Sequence, residues 1–176
     1  AQYINFIKNE NFENKIFKNT FLGPSYQSDY IKKTLENDQI KKILNKNKIK
    51  FIDLEIDKIK KIAAQKLNEG EIIFWFNGRS EFGPRALGNR SILANPLIKD
   101  IKEKINIEIK EREIFRPFAP AVNNEYKEKY FHTHEDMYNF MNFVVDVKQN
   151  AKELIPSVVH VNNTARAKKV SKENNK

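Results

Sequence analysis

The sequence contains no cysteine. Disulfides, zinc ribbons and thiol nucleophiles are therefore excluded. Histidine is scarce, with His132, His134 and His160 alone. His132 and His134 flank Thr133, and two such ligands without further donors make no metal site, so the pair reads as part of a polar loop. No G-x-G-x-x-G or Walker pattern occurs, so no standard phosphate loop is present. No Ser-His-Asp spacing, metal-ligand cluster or internal repeat is visible. No apolar run approaches a membrane span and the N-terminus lacks a signal-peptide pattern, which reads as a cytoplasmic chain. The sequence starts at Ala1, and it reads as a piece of a longer protein.

What is present is length, apolar residues and positive charge. The 176 residues, 40% of them hydrophobic, suffice for one domain with a packed core. The formal net charge is +9, from 32 Lys+Arg against 23 Asp+Glu. Two readings follow: a lysine-rich proteome whose lysines only solvate helix faces, or an anionic partner such as a nucleotide, phosphate or nucleic acid. The placement of the arginines decides between them.

Residues 1–22 read as an arm or linker, residues 23–170 as the domain and residues 171–176 as a polar tail. Ser28 or Asp29 caps an expected helix running to about Asn45. IKFIDL at Ile49–Leu54 is apolar enough for a strand. Ile56, Ile59, Ile62, Ala63 and Leu67 keep helical spacing, with Gly70 as the stop. EIIFWF at Glu71–Phe76 predicts a central strand covered on both faces. Ile98, Ile101, Ile105 and Ile109 mark a third helix, and strands are expected at Phe118–Val122, Phe143–Val147 and Ser157–Val161. From Lys168 onward, KKVSKENNK reads as polar and frayed. The irregular alternation predicts a mixed α/β domain.

Three stretches gather arginine beside turn residues at predicted strand ends, where α/β folds build sites. GRSEFGPRALGNRS supplies Arg79, Arg85 and Arg90; IKEREIFRPFAP supplies Lys110, Arg112 and Arg116; HVNNTARAKKV supplies His160, Thr164 and Arg166. Guanidinium groups are forked, permanently charged donors that match phosphate oxygens, and lysine offers a compact charge. Lys110 and Arg112 project to one side of an extended segment, and Pro117 keeps Arg116 out of helix. Such cations repel one another unless an anion fills the space between them. The competing reading has the arginines bonding carbonyls and pairing with Glu81, Glu111 and Glu113. Phe82, Phe115 and Phe118 read as core.

GRSEFGPRALGNRSILANP followed by INIEIKEREIFRPFAPAV resembles the C-terminal domain of the O-carbamoyltransferases of the nodulation-factor, cephamycin and tobramycin type. IPSVVHVNNTAR is similar to a third family stretch, usually closer to VHVDGTARVQTV, and FLGPSYQ to the domain's opening. The likeness covers most of residues 20–170. It implies a YrdC-like α/β fold, a twisted sheet with flanking helices, incomplete here at the C-terminal end. It implies formation of carbamoyl-adenylate from carbamoyl phosphate and ATP with Mg2+. A separate N-terminal domain of the actin/Hsp70-like class, with its own metal, would then carbamoylate a hydroxyl of the acceptor. Lys110, Arg112 and Arg116 match the family's catalytic nucleotide and phosphate contacts. Arg79, Arg85, Arg90, Thr164 and Arg166 fall on the ATP and carbamoyl phosphate side. No metal ligand is implied within this chain. Asn162 and Asn163 replace the family's acid and glycine, lysines replace the polar pair after TAR, and the family's NTSFN-like stretch is absent from these residues. The alternative from another class is a non-catalytic module that uses the same basic groove for nucleotide or RNA.

Overall fold

The computed structural model describes residues 20–132 and 140–170. Most of the expected N-terminal arm, His134 and the tail at residues 171–176 lie outside the described residues. Helices and strands mix along the chain as the sequence predicts. The strands pair as three two-stranded ladders.

The first expected helix is two, α1 (Ser28–Glu36) and α2 (Asp38–Lys46). Asn37 separates them because its side chain caps the second: Oδ1 accepts from Gln39 N–H at 3.0 Å. Ile49–Leu54 forms no strand. An apolar run becomes a strand only by pairing, and this one finds no partner among the described residues. α3 (Ile56–Asn68) follows its predicted period. It ends in a Schellman motif, with Gly70 N–H donating to Leu67 C=O at 3.1 Å and Glu71 N–H to Lys66 C=O at 3.0 Å. Gly70 sits at φ 88°, where a side chain would be strained. None of these three helices has a buried residue.

β1 (Ile73–Phe76) and β2 (Arg90–Leu93) pair antiparallel, Ile73 opposite Leu93 and Phe76 opposite Arg90. The expected central strand is thus half of a hairpin. Its apolar run is covered on one side only, with Phe74 and Phe76 exposed. Residues 77–89 form the connecting loop.

The third expected helix is α4 (Ile101–Lys104) continued by one π-helical turn, Ile105–Ile109. Lys110 N–H closes that turn on Ile105 C=O at 3.0 Å. β3 (Ala121–Asn123), α5 (Lys127–Tyr130), β4 (Val145–Asp146) and α6 (Gln149–Lys152) follow. Ser157–Val161 holds a 3-10 turn at Pro156–Val158 in place of a strand, because Pro156 opens a tight turn. Ser157 anchors that turn through hydrogen bonds to the carbonyls of Ile98 and Lys99.

The strand lies later, as β5 (Thr164–Ala165) and β6 (Lys168–Val170). β4 pairs with β5 antiparallel, and β3 with β6 parallel, Ala121 opposite Lys168. The residues expected to begin the polar tail therefore complete a ladder. The main core gathers around them: Val122, Phe131, Val145, Val147, Val158 and Ala165 are buried together. Leu87, Ile101 and Ile105 are buried nearer the long loop. Phe82 and Phe115, expected in the core, are 73% and 75% exposed, because each sits in a turn outside any element that faces the core. Phe118 does pack against the core. Among the described residues no helix is long and apolar enough to cross a membrane.

Candidate functional site: a cationic cleft

The long loop is shaped by one carboxylate. Glu81 Oε1 accepts backbone N–H groups from Leu87 at 2.7 Å, Asn89 at 2.8 Å and Arg90 at 3.2 Å. Partial burial pushes this carboxyl up, but the donors from Asn89, Leu87 and Arg90 overcome it and hold Glu81 below the ordinary glutamate value. Glu81 therefore pairs with backbone and not with an arginine.

Two loop arginines also spend their donors on backbone. Arg79 donates from Nε to Gly23 C=O at 3.0 Å and from Nη2 to Leu22 C=O at 2.9 Å. That clasp brings the two segments so close that a Cβ on Gly23 would lie 2.9 Å from Ser80 C=O. Arg90 donates to Asn77 C=O at 2.7 Å, Asn89 C=O at 2.9 Å and Gly78 C=O at 3.0 Å, and its guanidinium lies 3.5 Å from the centre of the Phe76 ring. Arg85 alone of the three is left facing open space. It lines a cleft of about 320 Å³.

The far wall of that cleft comes from the segment after the π-turn. Asn106, fully buried, donates from Nδ2 to Ile114 C=O at 3.2 Å and Arg116 C=O at 2.9 Å, and its Oδ1 accepts from Arg112 Nε at 2.7 Å. Arg112 N–H also bonds Asn106 C=O at 3.0 Å. The Arg112 guanidinium lies over the Phe118 ring, 4.8 Å from its centre, and Arg112 and Lys110 both line the cleft. Arg116 does not. It pairs with Glu113 at 2.7 Å on an exposed face and borders a separate, open depression.

The floor is the last strand. Ala165 and Ala167 are buried in the core at 0% and 1% exposure, while Arg166, Lys168 and Val170 line the cleft. This is the alternation of an extended chain. His160 joins them. Its Nδ1 lies 3.0 Å from Thr164 Oγ1, which in turn bonds Asn162 Oδ1 at 2.8 Å. Asn162 Oδ1 also accepts Thr164 N–H, so the Thr164 hydroxyl donates to Asn162 and accepts from His160 Nδ1–H. Thr164 thus fixes the imidazole and leaves Nε2 toward the cleft.

The cleft therefore brings together Arg85, Lys110, Arg112 and Arg166 from the sequence-derived set, and adds Lys168 and a role for His160. Arg79, Arg90, Arg116 and Thr164 lie outside its lining. Lys168 was missed because KKVSKENNK looks like a solvated run; the alternation of ARAKKV was the available signal. Three polar atoms of this lining are buried without a hydrogen-bond partner: His160 Nε2, Arg166 Nε and Lys168 Nζ. Among the described residues no carboxylate forms a salt bridge with Arg85, Lys110, Arg112, Arg166 or Lys168. Burial, and then the charges of Arg166 and Lys102, hold His160 below its ordinary value. Burial likewise lowers Lys168, opposed by the charge of Glu81. Such a lining is chemically a receptor for a multiply charged anion.

These shifts set a pH dependence. For His160 and Lys168 the unfolded chain holds its proton at pH values where the folded chain has released it, so stability rises with pH in both windows, toward 6.5 and toward 10.5. Ligand-free protein is therefore expected to show an increasing denaturation midpoint from about pH 5 to about pH 8. Urea unfolding at a series of pH values checks this, and a falling midpoint would contradict the buried cations.

Residues 64–176 match the family described as carbamoyltransferase C-terminus. The chain is 46% identical over 121 residues to nodulation protein NolNO of Sinorhizobium fredii, covering 68% of this chain and 18% of that protein. It is 44% identical over 121 residues to nodulation protein NolO of Bradyrhizobium diazoefficiens, covering 68% and 22%. With 3'-hydroxymethylcephem-O-carbamoyltransferase of Amycolatopsis lactamdurans it shares 39% over 107 residues, covering 60% and 20%. The chain thus spans about a fifth of the length of these relatives.

Proposed function

The chain belongs to the carbamoyltransferase family, as its C-terminal domain, and from that premise we propose that its cleft binds ATP and carbamoyl phosphate and forms carbamoyl-adenylate. The observation that carries this reading is the set of unpartnered buried donors, Arg166 Nε, Lys168 Nζ and His160 Nε2, beside Arg85, Lys110 and Arg112. Phosphate oxygens satisfy such donors and relieve their mutual repulsion. The name of the Amycolatopsis relative supports a hydroxyl as the final acceptor. Transfer to it would fall to an N-terminal actin/Hsp70-like domain with its own metal, in cis or in trans.

In this reading carbamoyl phosphate and water yield carbamate and inorganic phosphate. A carbamate oxygen then bonds to the α-phosphorus of ATP, and the bond from that phosphorus to the pyrophosphate oxygen breaks. The α-phosphate passes through a crowded, charged transition state, so positioning and charge neutralisation are the protein's main contributions. Arg112 is held rigidly by Asn106 and Phe118 and orients the phosphates. Lys110, exposed at the rim, follows an oxygen as charge moves to the leaving group. Arg85 and Arg166 close opposite sides. Among the described residues no three His, Cys, Asp or Glu side chains gather as metal ligands, and magnesium enters this reading with ATP.

Isothermal titration tests the proposal. Folded protein is expected to release or absorb heat with MgATP, and with carbamoyl phosphate, at or below about millimolar concentration. Silence with both ligands in a folded sample overturns it. Salt-sensitive RNA binding without any nucleotide effect would instead favour a binding module without catalysis.

A further inference from the structure

Lys168 is the least explained residue of the cleft. It is 8% exposed, and its Nζ has no hydrogen-bond partner. An ammonium carries three donors, and burying them unmade is costly. The nearby compensation is thin. The Phe21 ring centre lies 5.6 Å away, and Glu81 acts only at a distance because its Oε1 is committed to three backbone N–H groups. A lysine kept for structure would meet a carbonyl or a carboxylate. This one is delivered to the cleft floor by its register, opposite Ala121, with Lys168 N–H bonded to Pro120 C=O at 2.8 Å. The core-facing Ala165 and Ala167 leave the strand no room to turn over.

We propose that Lys168 is an anion-binding residue of the cleft, whose ammonium contacts a phosphate oxygen of the ligand and whose presence destabilises the empty protein. The inference rests on the reading of the cleft as a phosphate site, and it adds a contact that the arginine motifs do not contain. Its mark is a pair of effects with opposite signs. Replacing an uncompensated buried cation by an apolar side chain of similar length is stabilising, as removal of unpaired buried charge generally is. The same replacement removes a charge-assisted hydrogen bond to the ligand. A structural lysine would lose stability and change binding only in proportion.

The test uses Lys168→Met and, as a polar control that keeps a donor without charge, Lys168→Gln. Thermal unfolding is measured without ligand, and titrations use pyrophosphate, MgATP and carbamoyl phosphate separately. Lys168→Met is expected to melt at or above the wild-type temperature and to bind pyrophosphate and MgATP about tenfold or more weakly. Lys168→Gln is expected to fall between. Wild-type affinity in Lys168→Met, or a lowered melting temperature together with unchanged affinity in Lys168→Gln, overturns the assignment while leaving the phosphate reading of the cleft intact. Absence of binding by the wild-type protein itself overturns both.

Discussion

Replacing Asn106 by leucine is expected to lower the unfolding free energy by about 3 kcal/mol or more, and to weaken anion binding with it. Asn106 is fully buried, and its one side chain serves three partners: Ile114 C=O, Arg116 C=O and Arg112 Nε. Leucine has a similar size and none of the polar atoms. Two carbonyls and a guanidinium N–H would be left without their bonds, each at about 1–3 kcal/mol where water cannot reach. Partial access of water to the Ile114–Arg116 turn keeps the total near the lower end. For a chain of this size each kilocalorie moves the melting temperature by roughly 2–4 °C, so a fall near 10 °C is expected. Differential scanning calorimetry reads the first effect and titration with MgATP the second. A leucine variant that melts within a degree or two of wild type would mean that the 106–116 turn holds itself without the side chain.

Lys110→Ala is expected to do the reverse: little change in melting temperature, and a loss of MgATP affinity of roughly ten- to a hundredfold. Lys110 is exposed at the rim, forms no salt bridge among the described residues, and sits among cations that repel it. Removing it costs the empty fold almost nothing. With the ligand bound, the same side chain faces phosphate charge at a low-dielectric wall. Paired calorimetry and titration on this variant separate the two effects. Equal affinity in the variant would remove Lys110 from the binding set, and a large drop in melting temperature would make it structural.

The sequence disclosed those parts of the fold that depend on neighbours in the chain. α3 was legible because its apolar spacing and its stop, Gly70, are local facts. Ile49–Leu54 misled because strand formation depends on a distant partner that apolar composition does not reveal. The break at Asn37 is a contest between one capping side chain and a continuing helix, which periodicity does not register. In the cleft, Arg85, Lys110, Arg112 and Arg166 were legible from motifs. The difference between Arg85 and its neighbours Arg79 and Arg90 was not. All three sit beside glycine or proline, and only the folded loop shows which ones meet carbonyls. Lys168 was hidden by composition, since one buried lysine in a basic run looks like its solvated neighbours.

The π-turn at Ile105–Ile109 carries a further consequence, because it stands immediately before Lys110 and Arg112. A π-turn contains one residue more than an α-turn, so it behaves as an insertion that the helix has absorbed. Each residue of an α-helix advances the chain by about 100° around the axis. Loss of any one residue from 105–109 would let the segment relax to an ordinary helix and swing everything after it through roughly that angle. Lys110 and Arg112 would keep their identities and leave the cleft. The site is thus written in chain length as well as in residue type, and a deletion that removes only an isoleucine would disarm it as fully as the loss of a charge.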